Sequence, residues 1–448
     1  MTGRPPEVKP CEIQWIGTMP SHWSCRRLKH VASVALSSVD KKSHEHEEVV
    51  RLCNYVDVYH HERITPELDF MQATATPDEV RRFTLRSGDV LITKDSEAWD
   101  DIAVPAYVPS DLDGVLCGYH LAQVRPLDGL IDGDYLSRSF AARGINDQFR
   151  VAANGITRFG VGKYWIDNAL FLVPPLDEQR AIAAFLDRET TRIDALIEKK
   201  RRQIELLQEK RAALISHAVT KGLDPNAPMK DSGIDWLGSV PAQWPVIRIG
   251  LLCSVGNGST PSRENPEYWS DGAYPWLTSA KINEEVIGAA DEAVSEVAFR
   301  ECHLPWVRPE SVLLAITGEG QTRGRAALLR CASTISQHLA YISPRSGRLR
   351  ASFLWRALQS QYEWMRMESS GAGSTRAALT CEFIRTIKIP LPLTDEQEAI
   401  TAYIEREAHK IDLLAAKVAL SIDRLREYRT ALISTAVTGK LDVRQEVG

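Results

Sequence analysis

Apolar positions recur at heptad spacing in two long stretches of this chain. From Asp177 to Lys221 no glycine or proline occurs, and Leu186, Ile193, Ile197, Ile204, Leu207, Leu214 and Ala218 fall on one stripe. A second stripe holds Ile404, Ile411, Ala415, Val418, Ile422, Leu425, Leu432 and Ala436. Such spacing predicts helices that pack along their length on another helix. Proline precedes each stretch, and acidic residues fill the first turn, where the helix dipole favours them. At ~1.5 Å per residue, about 42 residues make a rod of roughly 60 Å. Two such rods in one chain most simply pack as an antiparallel pair. Lys200, Arg211 and Arg429 fall on the stripes and are expected to set their register.

The two stretches are copies of one another. Pro175-Leu176-Asp177-Glu178-Gln179, Arg192-Ile193-Asp194, Ala213-Leu214-Ile215-Ser216 and Ala218-Val219-Thr220 answer to Pro392-Leu393-Thr394-Asp395-Glu396-Gln397, Lys410-Ile411-Asp412, Ala431-Leu432-Ile433-Ser434 and Ala436-Val437-Thr438. From the Asp-Glu-Gln onward the offset is a constant 218 residues. The repeat reaches beyond the helices. Ile13-Gln14-Trp15-Ile16-Gly17 with Pro20 and Trp23 matches Ile234-Asp235-Trp236-Leu237-Gly238 with Pro241 and Trp244. These segments read as docked structural turns.

Between each opening segment and its helix lies a mixed stretch of short strand-like runs. Val49 to Tyr59 alternates, and Ser87 to Thr93 reads as a turn and a buried strand, answered by Ser311 to Ile316. Gly118-Tyr119-His120-Leu121-Ala122 matches Ser336-Gln337-His338-Leu339-Ala340. Helix-like segments follow at 134–149 and 351–367, then loops carrying Thr157-Arg158 and Thr375-Arg376, then return strands at 169–173 and 386–391. Elsewhere the halves diverge. Gly258-Ser259-Thr260-Pro261, Tyr268-Trp269 and Pro275-Trp276 have no counterpart in the first half. The expected fold is α+β: two mixed α/β lobes separated by two long helices packed as an antiparallel coiled coil, with a pseudo-twofold internal repeat. The expected boundaries are a first lobe at 1–173, a long helix at 174–221, a linker at 222–233, a second lobe at 234–390, a second long helix at 391–438 and a tail at 439–448.

Composition narrows the function. A chain of 448 residues with 44% hydrophobic content supports more than one core. No apolar run reaches the length of a membrane span, and the first ten residues have no apolar signal region, which predicts a cytoplasmic protein. Eight scattered cysteines without a Cys-x-x-Cys pair argue against structural zinc or a disulfide framework. A net charge of −5 does not by itself point to nucleic acid, but a local basic face matters more than the sum.

Catalytic signatures fail on inspection. Gly155 to Lys163 has the wrong spacing for a phosphate loop, and Arg323 takes the third glycine position of a dinucleotide fingerprint in Gly318 to Gly324. No Asn-Pro-Pro-aromatic methyltransferase motif and no convincing nuclease pattern occurs. His44, His46, His60 and His61 read as solvated loop residues rather than metal ligands. Together these absences favour a binding or scaffold role.

The residues that carry the repeat resemble the specificity subunit of Type I restriction–modification systems. The resemblance rests on Lys230 to Gly238 with Pro241 and Trp244, on the helix openings at Pro175 and Pro392, and on the Ala-Leu-Ile-Ser and Ala-Val-Thr helix ends. Gly258 to Pro261, Tyr268-Trp269 and Pro275-Trp276 resemble a variant of that family's target-recognition domain, whereas the first lobe lacks these signatures. The resemblance implies a non-catalytic subunit whose lobes each bind one half of a bipartite double-stranded DNA site. It also implies helices that dock two methyltransferase subunits, and added motor-nuclease subunits. S-adenosylmethionine, ATP and Mg would belong to those partners, and this chain would bind no cofactor or metal. The competing reading is a protein-interaction scaffold that does not touch DNA.

Expected DNA contacts are polar residues in loops beside the lobe strands. In the first lobe these are Lys94, Asp95, Tyr119, Thr157 and Arg158. In the second they are Ser259, Thr260, Thr278, Lys281, Gln321, Arg323, Gln337, Thr375 and Arg376. Arg and Lys pair with guanine or phosphate, Gln with adenine, and Thr with phosphate or the thymine methyl.

Overall fold

The computed structural model describes residues 7–235, 237–318, 320–370 and 378–443. Both long helices form, at Leu176–Lys221 and Thr394–Val437. Their stripes turn inward: Leu186, Ile193, Ile197, Ile404, Ile411, Val418, Ile422, Leu432 and Ala436 are buried. The chain divides into two compact units, one holding residues up to Arg201 with those from Leu420 on, the other Arg202–Ala419. Each unit therefore contains one lobe and part of both helices.

In the first unit the lobe carries two four-stranded sheets. One orders Pro105–Tyr107, Val90–Thr93, Leu121–Pro126 and Ala32–Leu36, all antiparallel. The other orders Met71–Ala75, Glu48–Cys53, Leu112–Cys117 and Thr84–Leu85, with one parallel pairing between Leu112–Cys117 and Glu48–Cys53. Val90–Thr93 is buried at every position, as a central strand requires. In the second unit a five-stranded sheet orders Cys253–Asn257, Leu339–Pro344, Ser311–Ala315, Ala326–Leu329 and Val286–Ile287. A three-stranded sheet of Glu292–Val294, Tyr274–Leu277 and Thr334–Ile335 accompanies it. Return strands close both lobes: Leu170–Val173 on Ser24–Arg27, and Lys388–Pro390 on Val246–Arg248.

Several expectations are corrected. The alternating run from Val49 ends as strand at Cys53 and becomes a helix at Tyr55–His60, because Asp57 accepts the Asn54 backbone N–H at 2.7 Å and caps the turn. The 134–149 segment is two helices, Gly133–Ala141 and Arg143–Ala152, broken where Ala142 is extended. The 351–367 segment is likewise two, Ala351–Ser360 and Tyr362–Ser370. Part of the 222–233 linker is strand: Met229–Asp231 pairs with Ser239–Pro241, as Val8–Pro10 pairs with Thr18–Pro20. Trp23 and Trp244 are buried, Trp15 is half exposed, and Trp236 lies outside the described residues. All eight cysteines are free, and burial pushes the Cys253 thiol up to about 12.

Two repeated contacts fasten each lobe to the helices. The first is a glutamine latch. Gln179 is fully buried. It accepts from the Asp132 N–H at 2.7 Å and donates to the Leu130 and Pro174 carbonyls at 3.2 and 2.9 Å. Gln397, equally buried, repeats this with the Arg350 N–H and the Arg348 and Pro392 carbonyls, at 2.8, 2.8 and 2.9 Å. All partners are backbone groups, and every donor and acceptor is satisfied.

The second contact is a four-charge node. In the first unit Arg429 of the second helix bonds Glu62 of the lobe and Asp194 of the first helix, the latter at 3.0 Å, while buried Arg138 holds Glu62 at 2.8 Å. In the second unit Arg211 of the first helix bonds Glu285 of the lobe and Asp412 of the second helix, both at 3.0 Å, with buried Arg356 3.7 Å from Glu285. The helices run antiparallel within each unit. Val437 lies beside Leu172, bridged by the Tyr135 hydroxyl, and Glu396 lies beside Gly222 and Trp244. Burial alone would lower the pKa of Arg211 and of Arg429. Glu285 and Asp412 overturn this for Arg211, as Glu62 and Asp194 do for Arg429, so both pKa values are raised.

Two outcomes follow from these contacts. Gln397→Ala orphans buried backbone groups and is expected to cost about 2–4 kcal/mol, read from the urea midpoint at unchanged slope. A double-mutant cycle of Arg211→Ala and Glu285→Ala is expected to give a coupling near ~1 kcal/mol, modest because Glu285 is 40% exposed. Additive costs in that cycle would remove the node from the account of lobe anchoring.

Candidate nucleic-acid interface

The central strand of each lobe delivers polar residues to the surface at its C-terminal end. In the first lobe Val90–Thr93 runs out at Lys94, whose N–H donates to the His120 carbonyl at 3.1 Å. Asp95 follows and opens the short strand Asp95–Ser96, paired with Phe159–Gly160. The Asp95 carboxylate accepts from Lys94 Nζ at 2.9 Å and pairs with His120 Nδ1 at 3.0 Å. The Lys94 ammonium stands 4.7 Å from the centre of the Tyr119 ring, which meets the His120 ring edge-on at 4.9 Å. Gly160 leaves room for this group, since a Cβ there would come within 3.0 Å of Asp95 Oδ1.

Lys94, Asp95 and Tyr119 therefore form one cluster, with Tyr119 half exposed. Thr157 and Arg158 are exposed on the segment that leads into Phe159–Gly160, beside it. Burial would raise the Asp95 pKa, but the bonds from His120 and Lys94 outweigh it and hold the carboxyl below its ordinary value of 3.8.

The second lobe repeats the placement with different side chains. Ser311–Ala315 is buried throughout, and the next N–H, that of Ile316, donates to the His338 carbonyl at 3.0 Å. Thr317 Oγ1 lies 2.7 Å from His338 Nδ1. Gln337 is exposed, and its N–H lies 3.5 Å from Thr260 Oγ1, long for a hydrogen bond. The Ser259 N–H donates to the Ile335 carbonyl at 3.1 Å, and the Ser259 carbonyl accepts from Trp276 Nε1 at 3.2 Å. Only glycine fits before it, because a Cβ on Gly258 would fall 1.8 Å from the Ile335 oxygen. Thr278 borders the same loop, through the bond from the Ser336 N–H to the Leu277 carbonyl. Ser259, Thr260, Thr278 and Gln337 thus share one surface.

The other expected residues are placed differently. Lys281 donates its backbone N–H to the Thr278 carbonyl, but its ammonium is engaged by Glu284 at 2.6 Å and Asp291 at 2.8 Å. The Gln321 side-chain oxygen accepts from Arg325 at 3.2 Å, and its backbone carbonyl accepts from the Tyr362 hydroxyl at 2.6 Å. Arg323 is buried, 7% exposed, with its guanidinium on Ser370 Oγ at 2.9 Å. Its expected role as a surface contact is corrected to a packing role, because the loop folds onto the Tyr362–Ser370 helix. Thr375 and Arg376 lie outside the described residues. His120 and His338 were not among the expected contacts. The signal for them was their identity in matched segments whose neighbours differ. Among the described residues no group of three or more His, Cys, Asp or Glu side chains is placed to hold a metal.

Residues 241–419 match the family model described as the Type I restriction modification DNA specificity domain. A Methanocaldococcus jannaschii protein, provisionally named the type I restriction enzyme MjaX specificity subunit, is 22% identical over 434 residues, 96% of each chain. The EcoR124I/EcoR124II specificity subunit of Escherichia coli is 20% identical over 182 residues, 40% of this chain and 44% of that protein. Among solved structures, a chain from a study of complex assembly and conformational transition in the type I R-M system superposes with a TM-score of 0.70 at 19% identity, covering 94% of this chain and 99% of that one. The HsdS subunit from Thermoanaerobacter tengcongensis gives 0.54 at 20% identity, covering 94% and 98%.

The Asp95 cluster yields a pH test. A carboxyl whose pKa is depressed on folding contributes stability above its unfolded value and loses it as pH falls through the folded value. Asp95→Asn is therefore expected to flatten the fall in thermal midpoint below about pH 4. Parallel acid limbs in the two proteins would contradict the ion-paired cluster.

Proposed function

We infer that this chain, a member of the Type I restriction–modification specificity-subunit family, is the DNA-reading part of a larger assembly. The observation that carries the reading is the recurrence of one surface, at the end of the central strand, in two lobes whose side chains there have diverged. Two readers of different chemistry on one repeated scaffold suit a site made of two unlike halves. The family match over the second lobe favours DNA reading over a scaffold that avoids DNA.

Base recognition falls in this reading to Lys94, Asp95, Tyr119, Thr157 and Arg158 in the first lobe, and to Ser259, Thr260, Thr278 and Gln337 in the second. Arg158 offers donors to guanine or phosphate, Lys94 does so by sharing its ammonium with Asp95, Gln337 offers the paired donor and acceptor that adenine takes, and the threonines offer a methyl against thymine. Thr375 and Arg376 remain candidates on sequence grounds. The long helices pair as an antiparallel coiled coil and act as a ruler, so the gap between half-sites is constant. Half-site centres on one face of the duplex lie roughly one helical turn, about 10 bp, apart.

The same helices dock two methyltransferase subunits, which carry S-adenosylmethionine and methylate adenine. Motor-nuclease subunits carry ATP and Mg and cut unmethylated DNA. This chain supplies recognition and no catalytic group. No helix among its described residues is long and apolar enough to cross a membrane.

The test is single-molecule methylome sequencing of cells that express the chain with its methyltransferase partner, against cells without the chain. A chain-dependent methylated-adenine motif of two short half-sites around a fixed gap is expected. Inserting matched heptads into both helices should lengthen the gap and leave the half-sites unchanged. An assembled complex without a motif would overturn the reading, and an unchanged gap would overturn the ruler.

A further inference from the structure

We propose that His120 and His338 are a matched pair of DNA-phosphate anchors, one per lobe, and that the residues beside them do the base reading. The proposal rests on the DNA-reading assignment above and adds a division of labour within each surface.

The two histidines occupy the same place in the fold. Each gives its carbonyl to the N–H of the first residue beyond the central strand, Lys94 at 3.1 Å and Ile316 at 3.0 Å. Each is held at Nδ1 by the side chain of the next residue, Asp95 at 3.0 Å and Thr317 at 2.7 Å. That hold orients the ring and leaves Nε2 without a hydrogen-bond partner among the described residues. The His120 side chain is 28% exposed and His338 is exposed, so both rings reach the lobe surface.

Beyond the buried Leu-Ala that follows each histidine, the polar residues beside them are not shared. Tyr119 stands where the second lobe has Gln337, Asp95 where it has Thr317, and Gly118 where it has Ser336. Lobes that read unlike half-sites need not share a base at a given place, but every half-site has the same phosphodiester. A side chain common to both readers fits the common feature, and side chains that differ fit the bases.

The ring chemistry agrees. The Thr317 hydroxyl can donate to Nδ1 of the neutral tautomer that carries its proton on Nε2, and that N–H then points at a phosphate oxygen. Asp95 instead accepts from Nδ1–H, with Lys94 Nζ sharing the same carboxylate, so a phosphate meets the His120 ring at Nε2, where donation requires the second ring proton that an anion on each side would hold. Both arrangements aim a donor at a phosphate.

The experiment uses the full chain assembled with its methyltransferase subunits, and duplexes that carry the motif from the wild-type methylome. His120→Asn and His338→Asn keep a group at the Nδ1 position but remove Nε2; His120→Gln and His338→Gln keep a donor near Nε2. Each Asn variant is expected to bind about tenfold more weakly to the motif and to every single-base variant of it, with the order of preference unchanged. The Gln variants should recover most of that loss. Neutral methylphosphonate placed at single phosphates should reveal, in wild type, one sensitive position per half-site that the matching Asn variant no longer feels. Wild-type affinity in the Asn variants, or a preference altered at one base, would overturn the anchor role. Thermal unfolding of each variant keeps lost folding apart from lost contact, and the wild-type phosphate footprint tests the anchor even for a variant that does not fold. Absence of any wild-type motif would instead count against the DNA-reading assignment.

Discussion

A guanidinium from one long helix, set between a lobe carboxylate and a carboxylate of the other long helix, is the constraint on which the rest of this structure depends. Arg429 makes this junction in the first unit and Arg211 in the second. The lobe carboxylates are half exposed, so neither junction is a large source of stability. Its value is geometric. A forked donor engaging two carboxylates fixes both the register of the helix pair and the seat of the lobe. Apolar stripes alone would tolerate a slip of one heptad, whereas a displaced arginine would lose the lobe carboxylate and the Asp194 or Asp412 carboxylate of the other helix together.

With the seat fixed, the lobe surface is free to vary. The sheets present buried central strands whose ends emerge as short polar loops. Those loops are held by main-chain bonds, by side-chain pairs such as Asp95 with His120 and Thr317 with His338, and by the Trp276 bond to the Ser259 carbonyl. The first lobe fills the position with Lys94, Asp95 and Tyr119, and the second with Thr317, Gln337 and Thr260. The fold tolerates this because the surrounding register is carried by backbone bonds such as Lys94 to His120 and Ile316 to His338.

Much of this was legible from the chain alone, and the limits have physical causes. The long helices showed because heptad spacing over more than forty residues has no competing explanation, and Arg211 and Arg429 stood out as charges on an apolar stripe. The breaks at Ala142 and Gln361 did not show, because neither residue disfavours a helix and tertiary packing decides them. That Lys94, Asp95 and Tyr119 lie at strand ends was readable because each follows a recognisable buried run; that they meet in one cluster was not. Arg323 misled because its glycine-rich surroundings look like an exposed loop, whereas the loop folds onto a helix far along the chain. The glutamines at the helix openings were visible as a motif, but their partners are main-chain groups with no signature in sequence.

That last property has a consequence for inheritance. Gln179 and Gln397 grip carbonyls and N–H groups, which every residue type but proline supplies in full. The grip is therefore blind to side-chain identity in the lobe. Mutation can rewrite a lobe's reading surface without touching this latch, whereas a lobe replaced whole keeps its seat only if it brings the carboxylate and buried arginine of the charge node, as Glu62 with Arg138 and Glu285 with Arg356 do. A chain built this way can change what it recognises while its means of assembly stays the same, so innovation in one property carries little risk to the other.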